Sequence, residues 1–194
     1  MRNSLLVSLV TLGSAISLPA QSPVIPPASS QIAAAVTPLP EELKAGAAVL
    51  GYEVAGKLVT LRAGKNDMIC LAPDPAVKNF HPACYHKAME PFMARGRELR
   101  ASGVKGAQVD TVRFAEVKNG KLKVPAQPSM LYQIFGGTFD ETSGKVTGGS
   151  ALYITYMPFA TTASTGLTGK PSDKSPWLMF PGTPKAHIMF SVSM

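Results

Sequence analysis

The chain has little of what familiar catalytic and cofactor sites are made from. Of its 194 residues two are cysteine, three are histidine and one is tryptophan. No Cys-X-X-Cys occurs, which excludes a thioredoxin-like redox pair and the haem-attachment sequence built on it. No serine stands in Gly-X-Ser-X-Gly, and the pairs Gly136-Gly137 and Gly148-Gly149 lack the glycine spacing and following helix of a phosphate-binding loop, so they read as turns or bulges. His-Glu-X-X-His is missing too. Basic residues are neither gathered into an arm nor interleaved with aromatics, which argues against nucleic acid as a partner. No apolar run reaches the roughly 20 residues of a membrane-spanning helix.

What is present begins with residues 1–20. Arg2 precedes an apolar run from Leu5 to Leu18, broken by small polar residues and closed by Pro19-Ala20, the layout of a secretory signal peptide cleaved after Ala20 or, alternatively, after Ala15. The mature chain is therefore expected to be secreted or periplasmic, soluble and without a membrane span. No cysteine lies near the junction, which excludes a lipid-modified N-terminus. Residues 21–40 are rich in Pro, Ser and Ala, with Pro23, Pro26, Pro27, Pro38 and Pro40 favouring extended backbone, and read as a tether. Residues 41–194 are of a size for one domain.

Hydrophobic residues make up 45% and charged residues 16%, far from a disordered composition. The 19 Lys and Arg exceed the 12 Asp and Glu, a net charge of +7 that becomes +6 when Arg2 leaves with the signal. Such a balance suits an anionic partner such as an envelope component, with a small ligand as the other expected partner; the competing reading is a solvated basic surface.

The pattern of elements predicts an α+β fold, mainly an antiparallel sheet with one principal helix, stapled by one disulfide. Ala48–Val54 and Leu58–Arg62 flank Ala55-Gly56-Lys57 as a hairpin, and Met68–Leu71 extends it to a three-strand meander. Tyr85, Met89, Phe92, Gly96, Leu99 and Gly103 recur at helical spacing, with Pro91 requiring a short turn to Met89 and a main helix starting near Glu90. Gly96 on the apolar face would let that helix sit close to the sheet. Val109–Val117 suits a strand, and 130–135, 151–157, 177–180 and 186–192 are further strands around a long loop at 158–176. In an exported protein Cys70 and Cys84 form a disulfide tying the third strand to the start of the helix.

Two constellations carry chemistry. His86 and Glu90 stand four apart, and His187 from the last strand would complete a two-histidine, one-carboxylate metal site; the competing reading is a surface pair and a core histidine. Tyr156, Phe159, Thr161 and Trp177, in and beside the long loop, combine aromatic surface with hydroxyl donors as small-ligand sites do; an ordinary polar loop beside a buried Trp177 is the competing reading. The methionines read as core filler rather than metal ligands. No cofactor is expected.

Tyr156-Met157-Pro158-Phe159-Ala160-Thr161, Pro176-Trp177-Leu178-Met179, Pro181-Gly182-Thr183-Pro184, Ala186-His187-Ile188-Met189 and, earlier, Cys84-Tyr85 with Glu98-Leu99-Arg100-Ala101 resemble a family of uncharacterised exported bacterial proteins. That resemblance implies a bacterial, secreted or periplasmic origin and assigns no catalytic residue. The expectation is a non-catalytic binding or envelope-associated protein, with a metal-dependent enzyme using His86, Glu90 and His187, or a structural protein of the envelope, as alternatives.

Overall fold

The structure, a computed structural model, describes residues 23–192; the expected signal peptide at 1–20 lies outside them. Two helical segments come first, α1 (Ala28–Ala35) and α2 (Glu41–Lys44). Strands β1 (Ala48–Val54), β2 (Lys57–Arg62), β3 (Met68–Leu71) and β4 (Ala83–His86) follow. A 3-10 turn at Lys87–Met89 leads into α3 (Glu90–Ala101), and then α4 (Gln108–Lys118). The remainder is β5 (Ser129–Phe135), the hairpin β6 (Thr138–Asp140) and β7 (Lys145–Thr147), β8 (Ser150–Tyr156), the short α5 (Thr162–Thr165), β9 (Trp177–Met179) and β10 (His187–Val192).

Eight strands form one sheet in the order β2-β1-β3-β4-β5-β8-β10-β9, antiparallel throughout except between β1 and β3. The α+β class, the antiparallel-dominated sheet and the disulfide Cys70–Cys84 are thus all present. Alternation of side chains along each strand gives the sheet two buried faces. Cys70 and Cys84 face α1, in a core with Ala35, Leu39 and Val49. Tyr85, Leu131, Ile154 and Tyr156 face the other way, against Met89 and Met93 at and beyond the start of α3.

Four expectations are corrected. Residues 28–40 are not a tether. The prolines bracket the elements instead of filling them: Pro27 and Pro40 sit at the N-caps of α1 and α2, where a missing amide does no harm. Gln31 of α1 is buried, its Nε2 donating to the carbonyls of Pro26 and Tyr52 at 2.8 Å while its Oε1 accepts from the Tyr52 amide at 2.8 Å. Second, β3 returns beside β1 in parallel, so the three strands are not a meander. Third, Val109–Val117 is helical, giving α4 nearly the length of α3: Val109 and Arg113, one turn apart, share its buried face, a spacing a strand cannot use. Fourth, the disulfide joins directly opposed residues of β3 and β4, before the helix begins.

The start of α3 is as its sequence requires, with Pro91 in the first turn and Gly103, at φ 93°, just past the end.

Candidate functional site

The face of the sheet toward α3 and α4 is not fully covered. Between it and the helices lies a cavity of about 420 Å³. Its floor is Leu71, Ala83, Tyr85, Leu131, Gln133 and Tyr156; its cations are Arg97 and Arg100 from α3, Arg113 from α4 and Lys185 from the approach to β10. Met93, Arg97 and Arg100 recur at i, i+4 and i+7, which puts them on one side of α3 overhanging the floor.

Each cation is held differently. Arg97 Nη2 donates to Glu90 Oε1 at 2.6 Å and its Nη1 to the Tyr85 hydroxyl at 2.8 Å, while that hydroxyl donates to Glu90 Oε2 at 2.5 Å. Arg113, only 4% exposed, donates from Nη1 to the Phe92 carbonyl at 3.0 Å and from Nη2 to Asp110 Oδ1, with its guanidinium 3.9 Å from the Phe92 ring centre. Its Nε is buried and has no hydrogen-bond partner among the described residues. Lys185 Nζ reaches the second oxygen of Asp110 at 2.8 Å. Arg100 donates only to the Gly96 carbonyl, at 3.0 Å, and pairs with no carboxylate among the described residues.

Four permanent cations therefore meet two carboxylates, Glu90 and Asp110, and neither carboxylate lines the cavity. The acids position the cations from behind and leave an excess of positive charge in front. Burial would raise the Asp110 carboxyl, but hydrogen bonds from Lys185 and Arg113 outweigh it and hold the group below its ordinary range, so it stays ionised. Burial pushes the Tyr156 hydroxyl up to about 12 and raises Tyr85 further, keeping both phenols protonated at neutral pH.

The expected metal site is not assembled. His86 ends β4, one residue past Tyr85, which is in register with Leu131, Ile154 and Met189, whereas His187 lies on β10 beside Tyr156. Three strand spacings, about 14 Å, and the thickness of the sheet separate them. His86 also spends its lone pair elsewhere: Nδ1 accepts from the Ala88 amide, and Nε2 faces Asp67 at 3.7 Å. Glu90 is committed to Arg97 and Tyr85. Among the described residues no group of three or more metal-ligating side chains comes together.

The four residues expected to bind a ligand do not line one cavity together. Tyr156 lines the basic cavity and stacks on His187 at 4.9 Å. Trp177 is buried, as in the competing reading of a core tryptophan. Phe159 is exposed, at φ 67°. Thr161 caps α5, its hydroxyl accepting from the Ser164 amide at 3.0 Å. The long loop has a smaller recess of its own, about 310 Å³, lined in part by Ser164, Thr165 and Leu167.

Sequence reasoning passed over Arg97, Arg100, Arg113 and Lys185. The Met93-Arg97-Arg100 stripe was readable; that Arg113 and Lys185 join it depends on long-range topology.

No protein-family model matches the chain, and neither the curated proteins nor the solved structures contain a significant match to it. The described residues carry a disulfide and no helix long and apolar enough to cross a membrane. The site defines the class of chemistry: a polyvalent cationic cavity on a half-covered sheet.

Proposed function

We propose that this is an exported, non-catalytic binding protein of the bacterial envelope whose basic cavity takes a small anionic ligand. The observation that carries the reading is the convergence of Arg97, Arg100, Arg113 and Lys185 on one 420 Å³ cavity with both neighbouring carboxylates outside its lining. A surface whose arginines serve only as solvated charges has no need to gather them over a sheet, and desolvated guanidinium groups attract oxyanions far more strongly than exposed ones do. Binding is favoured over catalysis because the cations are hydrogen-bond donors, the cavity's phenols stay protonated at neutral pH, and the one imidazole of the lining, His81, is stacked on Phe135 and faces Gln133 Oε1 at 3.3 Å. Export is supported by the signal-like N-terminus and by the disulfide, which persists in an oxidising compartment.

Thermal melting in a matched pair of solutes tests this. Benzoate at a hundredfold excess over its dissociation constant should stabilise the fold by about 2.7 kcal/mol, raising the melting temperature by roughly 5 °C or more, while benzylammonium at equal ionic strength should not. Equal shifts with both, or none with any anion in a wider panel, would overturn the proposal.

A further inference from the structure

Resting on that reading, we infer that the ligand is an amphiphilic organic oxyanion whose head is held between Arg100 and Arg113 above Gly96 and whose apolar body lies on Leu71, Met93 and Leu131. Gly96 is buried in the middle of α3, where glycine weakens a helix. A Cβ placed there would stand 2.9 Å from Arg113 Nη1 and 3.2 Å from Arg100 Nη1. Both guanidinium groups thus pack against the bare backbone of Gly96, and these two nitrogens are no more than about 6 Å apart. Two like charges that close are stabilised by an anion set against them from the cavity, which both arginines line.

The two arginines divide the task. Arg113 is fixed by Phe92, Asp110 and the Phe92 ring, so its fork is preorganised. Arg100, on the exposed side, is tied only to the Gly96 carbonyl and has its remaining donors unclaimed by the described residues. Carboxylate and phosphate monoester heads fit such a pair alike. Below the cations the floor turns apolar, with Leu131 buried and Leu71 and Met93 partly so. An inorganic ion would leave this floor wet, whereas an apolar body would cover it and gain roughly 0.8 kcal/mol per buried methylene, a factor of about four in affinity.

Calorimetric titration of the intact chain separates the parts. Hexanoate should bind at least tenfold more tightly than acetate, and hexyl phosphate at least tenfold more tightly than inorganic phosphate. Arg100→Met, at an exposed position, should lower hexanoate affinity at least tenfold with the melting temperature little changed. Gly96→Ala should also lower hexanoate affinity by displacing both guanidinium groups, here with a lower melting temperature because the site is buried; if that variant fails to fold, Arg100→Met still decides. Unchanged hexanoate affinity in Arg100→Met overturns the head-group assignment. Acetate and inorganic phosphate binding as tightly as their hexyl counterparts overturns the apolar body while leaving anion binding intact. No binding by any of the four removes both.

Discussion

Lys185 donates to Asp110 across 2.8 Å, joining the approach to β10 to helix α4 over a sequence separation of 75 residues. Because Arg113 occupies the other oxygen of the same carboxylate, Asp110 sets the position of two of the four cavity cations. Asp110→Asn should therefore act in opposite directions on stability and binding. Loss of the two charge-assisted bonds should destabilise the fold by about 1 to 2 kcal/mol in urea unfolding. Removal of the competing negative charge should tighten anion binding severalfold. A variant that loses both stability and affinity would show that the positioning of Arg113 and Lys185 by the carboxylate outweighs its competing charge.

The same carboxylate fixes a sign for acid behaviour. Its folded pKa is depressed below 3.8, so its stabilising contribution is fully present above that value and disappears as pH falls through the lower, folded value. His187 acts in the same direction at higher pH. Burial first, and the nearby Lys185 charge, lower its pKa from 6.5, against the opposing hydrogen bond between Nδ1 and the Lys185 carbonyl at 2.7 Å. The unfolded chain then binds the extra proton first, and stability should begin to fall as pH drops below about 6.5. His187→Gln should flatten that part of the stability curve. A curve with the same slope in both proteins would place the acid sensitivity elsewhere.

Gln31 tests the packing of the N-terminal segment. Gln31→Ala leaves the Tyr52 amide and carbonyl and the Pro26 carbonyl without their partner at a buried position, and should destabilise by about 2 to 3 kcal/mol. An extended tether would make the substitution neutral, so denaturant unfolding discriminates the two directly.

The disulfide spans a sequence separation of 14 and is wholly buried beneath α1. Thiol titration of the unreduced, denatured protein should find no free thiol. Replacing Cys70 and Cys84 by Ser should lower stability by about 3 kcal/mol, the loop-closure value for this length.

Local rules made much of this legible. The turn at Ala55-Gly56-Lys57, the first turn at Pro91 and the stop at Gly103 each follow from one residue's backbone preference, and β5, β8, β9 and β10, though not the hairpin β6–β7, follow from β-rich runs separated by Gly and Pro. What escaped reading was set at a distance. The proline content of residues 21–40 hides a helix because the prolines fall at its ends, and only Tyr52 explains why Gln31 is buried. Gly96 looked like a device for bringing α3 close to the sheet, whereas it makes room for Arg113, seventeen residues later, and for Arg100. His86 and His187 looked like partners because nothing local reveals that they stand on opposite faces of one sheet.

The anion site is tested most directly by a crystal structure grown with 4-bromobenzoate, whose bromine locates the ligand by anomalous scattering. The carboxylate is predicted between Arg100 and Arg113 above Gly96, with the bromine over Leu131 and Met93. A bromine peak only in the loop recess beside Ser164 and Leu167, or a cavity left to water at saturating ligand, would contradict it.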